Sequence, residues 1–425
     1  MTVTKQTIAA VAKLTMVAIL SSLTPGAVAG ASEHAAKEKA KPEATEKPAD
    51  TEAAPAGEAA ADPFQVPEGD PEQLLEFIDT VARLRPAAMD PESIEKHRRK
   101  VYETVIKATD KILEAKPSDE QLADAIRVRA VSLGWLGQNG DAKADEQLLA
   151  MPANLRQQGR EALARRVQSF IYRMQMQRLL GGDDPLVAEK KLRALVDEIQ
   201  EYIGPTPTAD ELELAVSTAQ MVEAVIGPEE AGKLYLKFGE AFQKSDQPEL
   251  AEIGKKLVGS GTRLSLVGQP MPLEGLHLDG SKFSWDNYKD KTVLVQFWAT
   301  WCMPCRQEIE NIREVYNKYH EKGFDVIGIN LDDDVTSVRE FLAQNPLPWN
   351  QLVSADENAR GMDSPMAVRY GVMAIPEVVL VGKDGKVAAL EARGPQLWEE
   401  VQKLLGPVEG AKEEKGGGHE KKSSH

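Results

Sequence analysis

From Phe64 to about Val258, apolar residues recur at three- and four-residue spacing, the period of helices that bury one face. The pattern predicts helices near Pro71–Leu84, Pro91–Leu113, Asp119–Leu136, Leu155–Leu180, Pro185–Tyr202, Ala209–Val225 and Glu229–Phe242. Pro71, Pro91, Pro185 and Pro228 stand where a first helical turn tolerates a missing N–H, and Gly137, Gly181 and Gly204 where helices commonly end. Short connections make successive helices antiparallel neighbours. The expectation over residues 64–260 is therefore an all-α domain of helical hairpins.

The period changes after Gly259-Ser260-Gly261, which reads as a domain boundary. Leu273–Leu278 alternates as a strand does, and Asp279-Gly280 is a hairpin turn before a second short strand, Lys282–Trp285. Thr292–Trp298 is a continuous apolar run suited to the centre of a sheet. A helix from Cys302 to about Tyr319 follows, then a strand at Phe324–Leu331 and a helix at Val335–Asn345. Val378–Val381 and Val387–Glu391 flank the turn Lys383-Asp384-Gly385-Lys386, and Pro395–Leu405 closes the series as a helix. Such an order predicts an α/β sandwich around a central sheet, over residues 262–408. Within the helical part, Ala130 to Leu149 faintly resembles one tetratricopeptide-type hairpin, although no fixed period recurs elsewhere.

The chain ends read differently. Lys5 and Lys13, the apolar stretch Leu14–Leu23 and the small residues Ala27-Val28-Ala29 predict a cleaved export signal over residues 1–29. Periplasmic or otherwise exported localisation follows as the expectation. A membrane tether is the lesser reading, because the stretch falls short of the ~20 apolar residues of a spanning helix. Residues 30–63, rich in Ala, Glu, Lys and Pro, and the tail 409–425 carry too little apolar surface to offset their ordering entropy. Both are expected to be disordered. Lys plus Arg is 51 against 67 Asp plus Glu, a net charge of −16, which argues against a nucleic-acid partner.

The chemistry is concentrated in Trp301-Cys302-Met303-Pro304-Cys305, which holds both cysteines of the 425 residues. Two thiols separated by two residues can close and reopen a small disulfide, which is two-electron chemistry needing no cofactor. Cys302 falls where a strand has ended and a helix begins, so unpaired N–H groups and the helix dipole favour its thiolate. Cys305 lies one turn further on the same face, as the resolving sulfur, and Glu308 continues that face three residues on. Zinc needs about four ligands, and His277 and His320 show no paired spacing with the cysteines, so no metal is expected. Haem attachment needs a histidine where Arg306 stands. A peroxidase nucleophile motif, P-x-x-x-T-x-x-C, would need proline and threonine at Val295 and Ala299.

The run Val295-Gln296-Phe297-Trp298-Ala299-Thr300-Trp301-Cys302-Met303-Pro304-Cys305-Arg306-Gln307-Glu308 resembles the active-site strand and helix of the thioredoxin superfamily. More closely it is similar to the TlpA-like branch of exported thiol–disulfide oxidoreductases, the ResA and DsbE type. Further matches are Gly268–Leu273, Tyr370–Pro376 and Leu380–Gly385, so the resemblance spans about Thr262 to Gly406. It implies a thioredoxin-like sandwich with a central mixed sheet and a redox-active Cys302–Cys305 disulfide. It also implies a carboxylate at Glu308 that assists proton movement, and a cis proline at Pro376 whose neighbour Ile375 faces the cysteines. Trp301 would form a platform for an approaching partner. Classical thioredoxins carry a buried aspartate where this chain has Gln296, and a threonine is usual where it has Glu377.

The resulting expectation is an exported thiol–disulfide oxidoreductase acting on protein thiols and disulfides without a cofactor. The resemblance alone favours the reductase direction, with a membrane electron-donor protein as a further partner. The rivals are a partner-binding scaffold with a redox-sensing module and, more weakly, a thiol peroxidase.

Overall fold

Side-chain caps fix where the first helices begin. Asp70 and Gln73 form a reciprocal capping box at the start of α1 (Pro71–Ala82), and Asp90 caps α2 (Pro91–Glu114). Ser118 with Gln121 opens α3 (Asp119–Gln138), and Asp141 opens α4 (Ala142–Gln157). These elements and α5 (Glu161–Leu180) belong to a computed structural model that describes residues 62–180 and 185–408. The segment expected to be an export signal (1–29), nearly all of the linker (30–63) and the tail (409–425) lie outside the described residues.

One continuous helix was the expectation for Leu155–Leu180, but the chain breaks at Gln158–Arg160. Gly159 adopts φ +71°, and the N–H of Arg160 returns to the carbonyl of Leu155 at 2.9 Å. Apolar stripes of α3, α4 and α5 meet around Leu133, Leu148, Val167 and Ile171, while Leu74, Val81, Ala108 and Ile112 form a second cluster from α1 and α2.

The chain divides into two compact units, one ending at Ala188 and the other running from Glu189. The second unit therefore contains most of α6 (Pro185–Ile203), all of α7 (Ala209–Val225), α8 (Pro228–Phe242) and α9 (Pro248–Leu264), and the α/β portion. The boundary read after Gly261 falls within α9. Gly259-Ser260-Gly261 forms the C-terminal part of α9. Its glycines serve close packing rather than flexibility. A Cβ on Gly239 of α8 would lie 2.6 Å from the Val258 amide nitrogen and 2.8 Å from the Gly254 carbonyl oxygen.

The sheet has six strands: β1 (Leu276–His277), β2 (Thr292–Trp298), β3 (Phe324–Asn330), β4 (Asn350–Val353), β5 (Glu377–Val381) and β6 (Val387–Leu390). Their order is β1-β4-β3-β2-β5-β6. β2 runs parallel to β3 and antiparallel to β5, so the sheet is mixed. Every residue of β2 and β3 is buried, as the continuous apolar runs require. β2 sends Leu294 and Trp298 towards α10 (Met303–Tyr319) and α13 (Pro395–Leu405). Val293, Val295 and Phe297 meet Tyr370, near α12 (Pro365–Arg369), on the opposite face. The helix α11 (Val335–Gln344) links β3 to β4.

Two details differ from expectation. The hairpin at Asp279-Gly280 is reduced to one bridge, Leu276 to Lys282, because Ser284 caps a single 3-10 turn at Trp285–Tyr288. β4, not foreseen, pairs parallel to β3 through only three register positions. No helix among the described residues is long and apolar enough to cross a membrane.

Because α9 belongs to the second unit, a fragment of residues 185–408 is expected to unfold cooperatively and to retain disulfide exchange. A fragment beginning at Thr262 lacks Lys256, Gly259 and Ser260 and should melt several degrees lower. A loss of ~1 kcal/mol moves Tm by about 2–4 °C in domains of this size. Identical circular-dichroism melts of the two fragments would show that α9 does not support the sheet.

Candidate active site

β2 ends at Trp298 and the chain must turn before α10 can start. Asp332, just after β3, holds that turn. Its carboxylate accepts the Thr300 amide at 2.9 Å, the Thr300 hydroxyl at 2.5 Å and the Asn330 side-chain amide at 2.7 Å. Asp332 is buried, and the amide of Leu331 adds a bond to the Trp298 carbonyl at 2.8 Å. None of these groups was singled out in the sequence. The available signal was a threonine and an aspartate each placed two residues beyond a central strand.

Cys302 then occupies the N-cap of α10, and its Sγ accepts the backbone N–H of Cys305 at 3.1 Å. The two cysteines are joined as a disulfide with their Cα atoms 5.2 Å apart. Cys305 is fully buried and Cys302 is 5 % exposed, so the first sulfur is a narrow window. Part of the cover is the Ile375 carbonyl oxygen, 3.6 Å from Cys302 Sγ. A disulfide sulfur has no proton, so this is a contact rather than a hydrogen bond. The Ile375–Pro376 peptide is cis. Cys302, Cys305, Ile375 and Pro376 thus come together, with Trp301, Met303 and Met373 as exposed apolar side chains nearby in sequence.

Glu308 of α10 is half-buried and fastened sideways. Its Oε1 accepts the Asn311 side-chain amide at 2.8 Å and the Gly394 backbone N–H at 3.1 Å. Trp398 donates to Asn311 at 3.1 Å, so the carboxylate is tied to the start of α13. Gln296 lies between Leu294 and Trp298 in sequence, on the same face of the sheet as the cysteines. It is fully buried, and neither polar atom of its amide has a hydrogen-bond partner among the described residues.

Glu377, the departure from the family pattern directly after Pro376, turns inward. Its carboxylate pairs with Arg263 of α9 at 3.1 Å, and both side chains are about nine-tenths buried, at 12% and 10% exposure. Burial pushes its pKa up to about 7, against the opposing pull of Arg263. Arg263 carried no recognisable signal in the sequence. Among the described residues no group of three or more His, Cys, Asp or Glu is placed to hold a metal.

The Redoxin family model matches residues 266–403. The ResA thiol-disulfide oxidoreductase of Bacillus thuringiensis subsp. konkukian is 34% identical over 128 residues, which are 30% of this chain and 69% of that protein. The chain belongs to the ResA-type thiol-disulfide oxidoreductases. A ResA of Halalkalibacterium halodurans is 25% identical over 31% of this chain and 71% of that protein. The thioredoxin domain of a Bacteroides vulgatus thiol-disulfide oxidoreductase is 28% identical, covering 33% of this chain and 97% of that one, with a TM-score of 0.30. Membership of the family makes this chain a thiol–disulfide oxidoreductase, and the matched segment begins just after α9.

Glu377 generates a pH prediction. Its folded pKa lies above the ordinary 4.5, so the folded protein holds this proton more tightly than the unfolded chain. The contribution is complete below about 4.5 and is lost as pH rises through about 7. Glu377→Gln cannot lose that proton. The stability of the parent minus that of the variant should therefore fall across this interval in urea titrations. A difference that stays flat from pH 4.5 to 7 would show that Glu377 ionises as an ordinary carboxylate.

Proposed function

We propose that the protein is an exported reductase of protein disulfides, in which Cys302 attacks and Cys305 resolves. The observation that carries this reading is the Cys302 sulfur at the helix N-cap, accepting the Cys305 N–H. The same N–H and the helix dipole favour a thiolate at that position once the disulfide is reduced. Cys305, fully buried one turn on, meets only a sulfur already held at Cys302.

In the reducing direction, the Cys302 thiolate attacks one sulfur of the partner disulfide. An S–S bond forms between the proteins, the partner's bond breaks, and the departing thiolate takes a proton. Cys305, deprotonated, then attacks Cys302 Sγ. The intermolecular bond breaks, the second partner thiol leaves, and the Cys302–Cys305 disulfide of this structure remains. Two electrons and two protons from a dithiol donor restore the starting state, and a membrane electron-donor protein suits that role. Glu308 is proposed to accept the Cys305 proton, and Ile375 and Pro376 to offer the edge on which the partner backbone docks beside Trp301. Export rests on the leader pattern of residues 1–29, and N-terminal sequencing of the mature protein tests it directly.

Two further experiments bear on the roles. Cys305→Ala should accumulate intermolecular disulfides through Cys302, whereas Cys302→Ala should accumulate almost none; equal trapping by both would overturn the assignment. Glu308→Gln keeps the acceptor for Gly394 but removes the charge. General-base assistance typically gives about 10²–10⁴-fold, so release of the mixed disulfide should slow measurably, with an altered pH dependence. Superimposable stopped-flow traces from acid to alkaline pH would reduce Glu308 to a structural tie.

A further inference from the structure

The segment leading to the cis proline is bound on its far side by α9. Gly371, at φ +58°, ends α12 in a left-handed turn, with the Val372 N–H returning to Ala367 at 2.8 Å. Any Cβ there would collide with the Ser260 amide and the Lys256 carbonyl of α9. Conversely, a Cβ on Gly259 would lie 2.9 Å from Gly371 Cα and nearer still to the Val368 carbonyl. The Ser260 hydroxyl donates to the Gly371 carbonyl at 3.1 Å, and Lys256 pairs with Asp363 at 2.8 Å. The last hold is Arg263 on Glu377, directly after Pro376.

Around that pair sits a cluster with more carboxylates than cations. Glu391, at φ +54°, reaches Arg263 at 3.8 Å and Arg393 at 3.7 Å. Arg393 in turn donates to the Pro376 carbonyl at 3.0 Å. Glu223 of α7 faces the group and has its pKa raised by burial, then by Glu391, against Arg263. Tyr235 of α8 faces it too, its hydroxyl pKa pushed up chiefly by burial. Glu223, Glu377 and Glu391 thus share Arg263 and Arg393, three potential negative charges against two positive. Removing Arg263 leaves Glu377 buried without its 3.1 Å partner, a costly arrangement.

We infer that Arg263 is a positioning residue for partner docking, holding Glu377, and through it the Ile375–Pro376 edge, in place beside the disulfide. A helix outside the matched redoxin segment thereby helps to shape the docking edge. The inference rests on the reading of Ile375–Pro376 as that edge. Because the site raises the pKa of Glu377, ionising it costs stability in this setting, and the hold on the edge weakens as pH rises through about 7. Productive docking then declines through that range.

The test uses the full chain and two substrates: insulin, whose disulfide must be docked as part of a protein, and a small aromatic disulfide that needs little docking. Arg263→Met should raise KM for insulin several-fold and lower the insulin-to-small-disulfide ratio of kcat/KM. Arg263→Lys should restore part of that loss. Glu377→Gln should flatten the change of insulin KM between pH 6 and 8. Arg263→Met combined with Glu377→Gln removes both members of the buried pair, and serves where Arg263→Met alone fails to fold. It should show the same loss of ratio. An unchanged ratio in the folded variants, or a pH profile of KM that Glu377→Gln leaves intact, would overturn the inference. A parent that reduces neither substrate would instead remove the functional reading on which it rests.

Discussion

Everything at the redox site depends on the three bonds that Asp332 makes to the end of β2 and the end of β3. A helix N-terminus presents its free N–H groups only along its own axis, so a sulfur at the cap benefits only if the helix starts at one fixed place. The buried Asp332 carboxylate gathers the Thr300 amide and hydroxyl with the Asn330 amide, and the turn between them cannot drift. Charge-assisted hydrogen bonds of this kind are about twice as strong as neutral ones. Cys302 is consequently aimed at the Ile375 carbonyl by the sheet itself, not by the loop that carries it.

The sheet and its redox helix were legible because their signals are local and repeated. Seven consecutive buried residues in β2 and in β3 leave few other structures open, and Cys302 at the helix start follows from the strand's end and Pro304. α9 was illegible for the opposite reason. Gly254, Gly259 and Gly261 look like breakers until the surfaces they fit are present, namely the backbones of α8 and Gly371. β4 was missed because four residues beside Pro348 carry no period long enough to detect, and its pairing is supplied by β3. Glu377 was visible as a departure from the family pattern, yet its burial was not. Its partner lies 114 residues earlier, and no local rule connects them.

The second unit is best understood as a redox sheet with helices built against one of its loops. The family match begins at residue 266, two residues after α9 ends, so α9 itself lies outside the matched segment. The Arg263–Glu377 pair and the Gly259–Gly371 approach nevertheless reach into the matched segment. The border of sequence similarity and the border of physical cohesion therefore fall in different places.

The seam between Gly259 and Gly371 has a consequence for how this protein can diverge. Where side chains meet, an intruding methyl group is accommodated by rotamer changes, and a loss on one side is offset by a gain on the other. Here peptide planes meet. A Cβ on either glycine strikes main-chain atoms of the other segment, and no second substitution across the seam makes room for it. Neutral drift is therefore closed at both positions at once, and lineages that keep α9 seated can vary only in the residues around the seam.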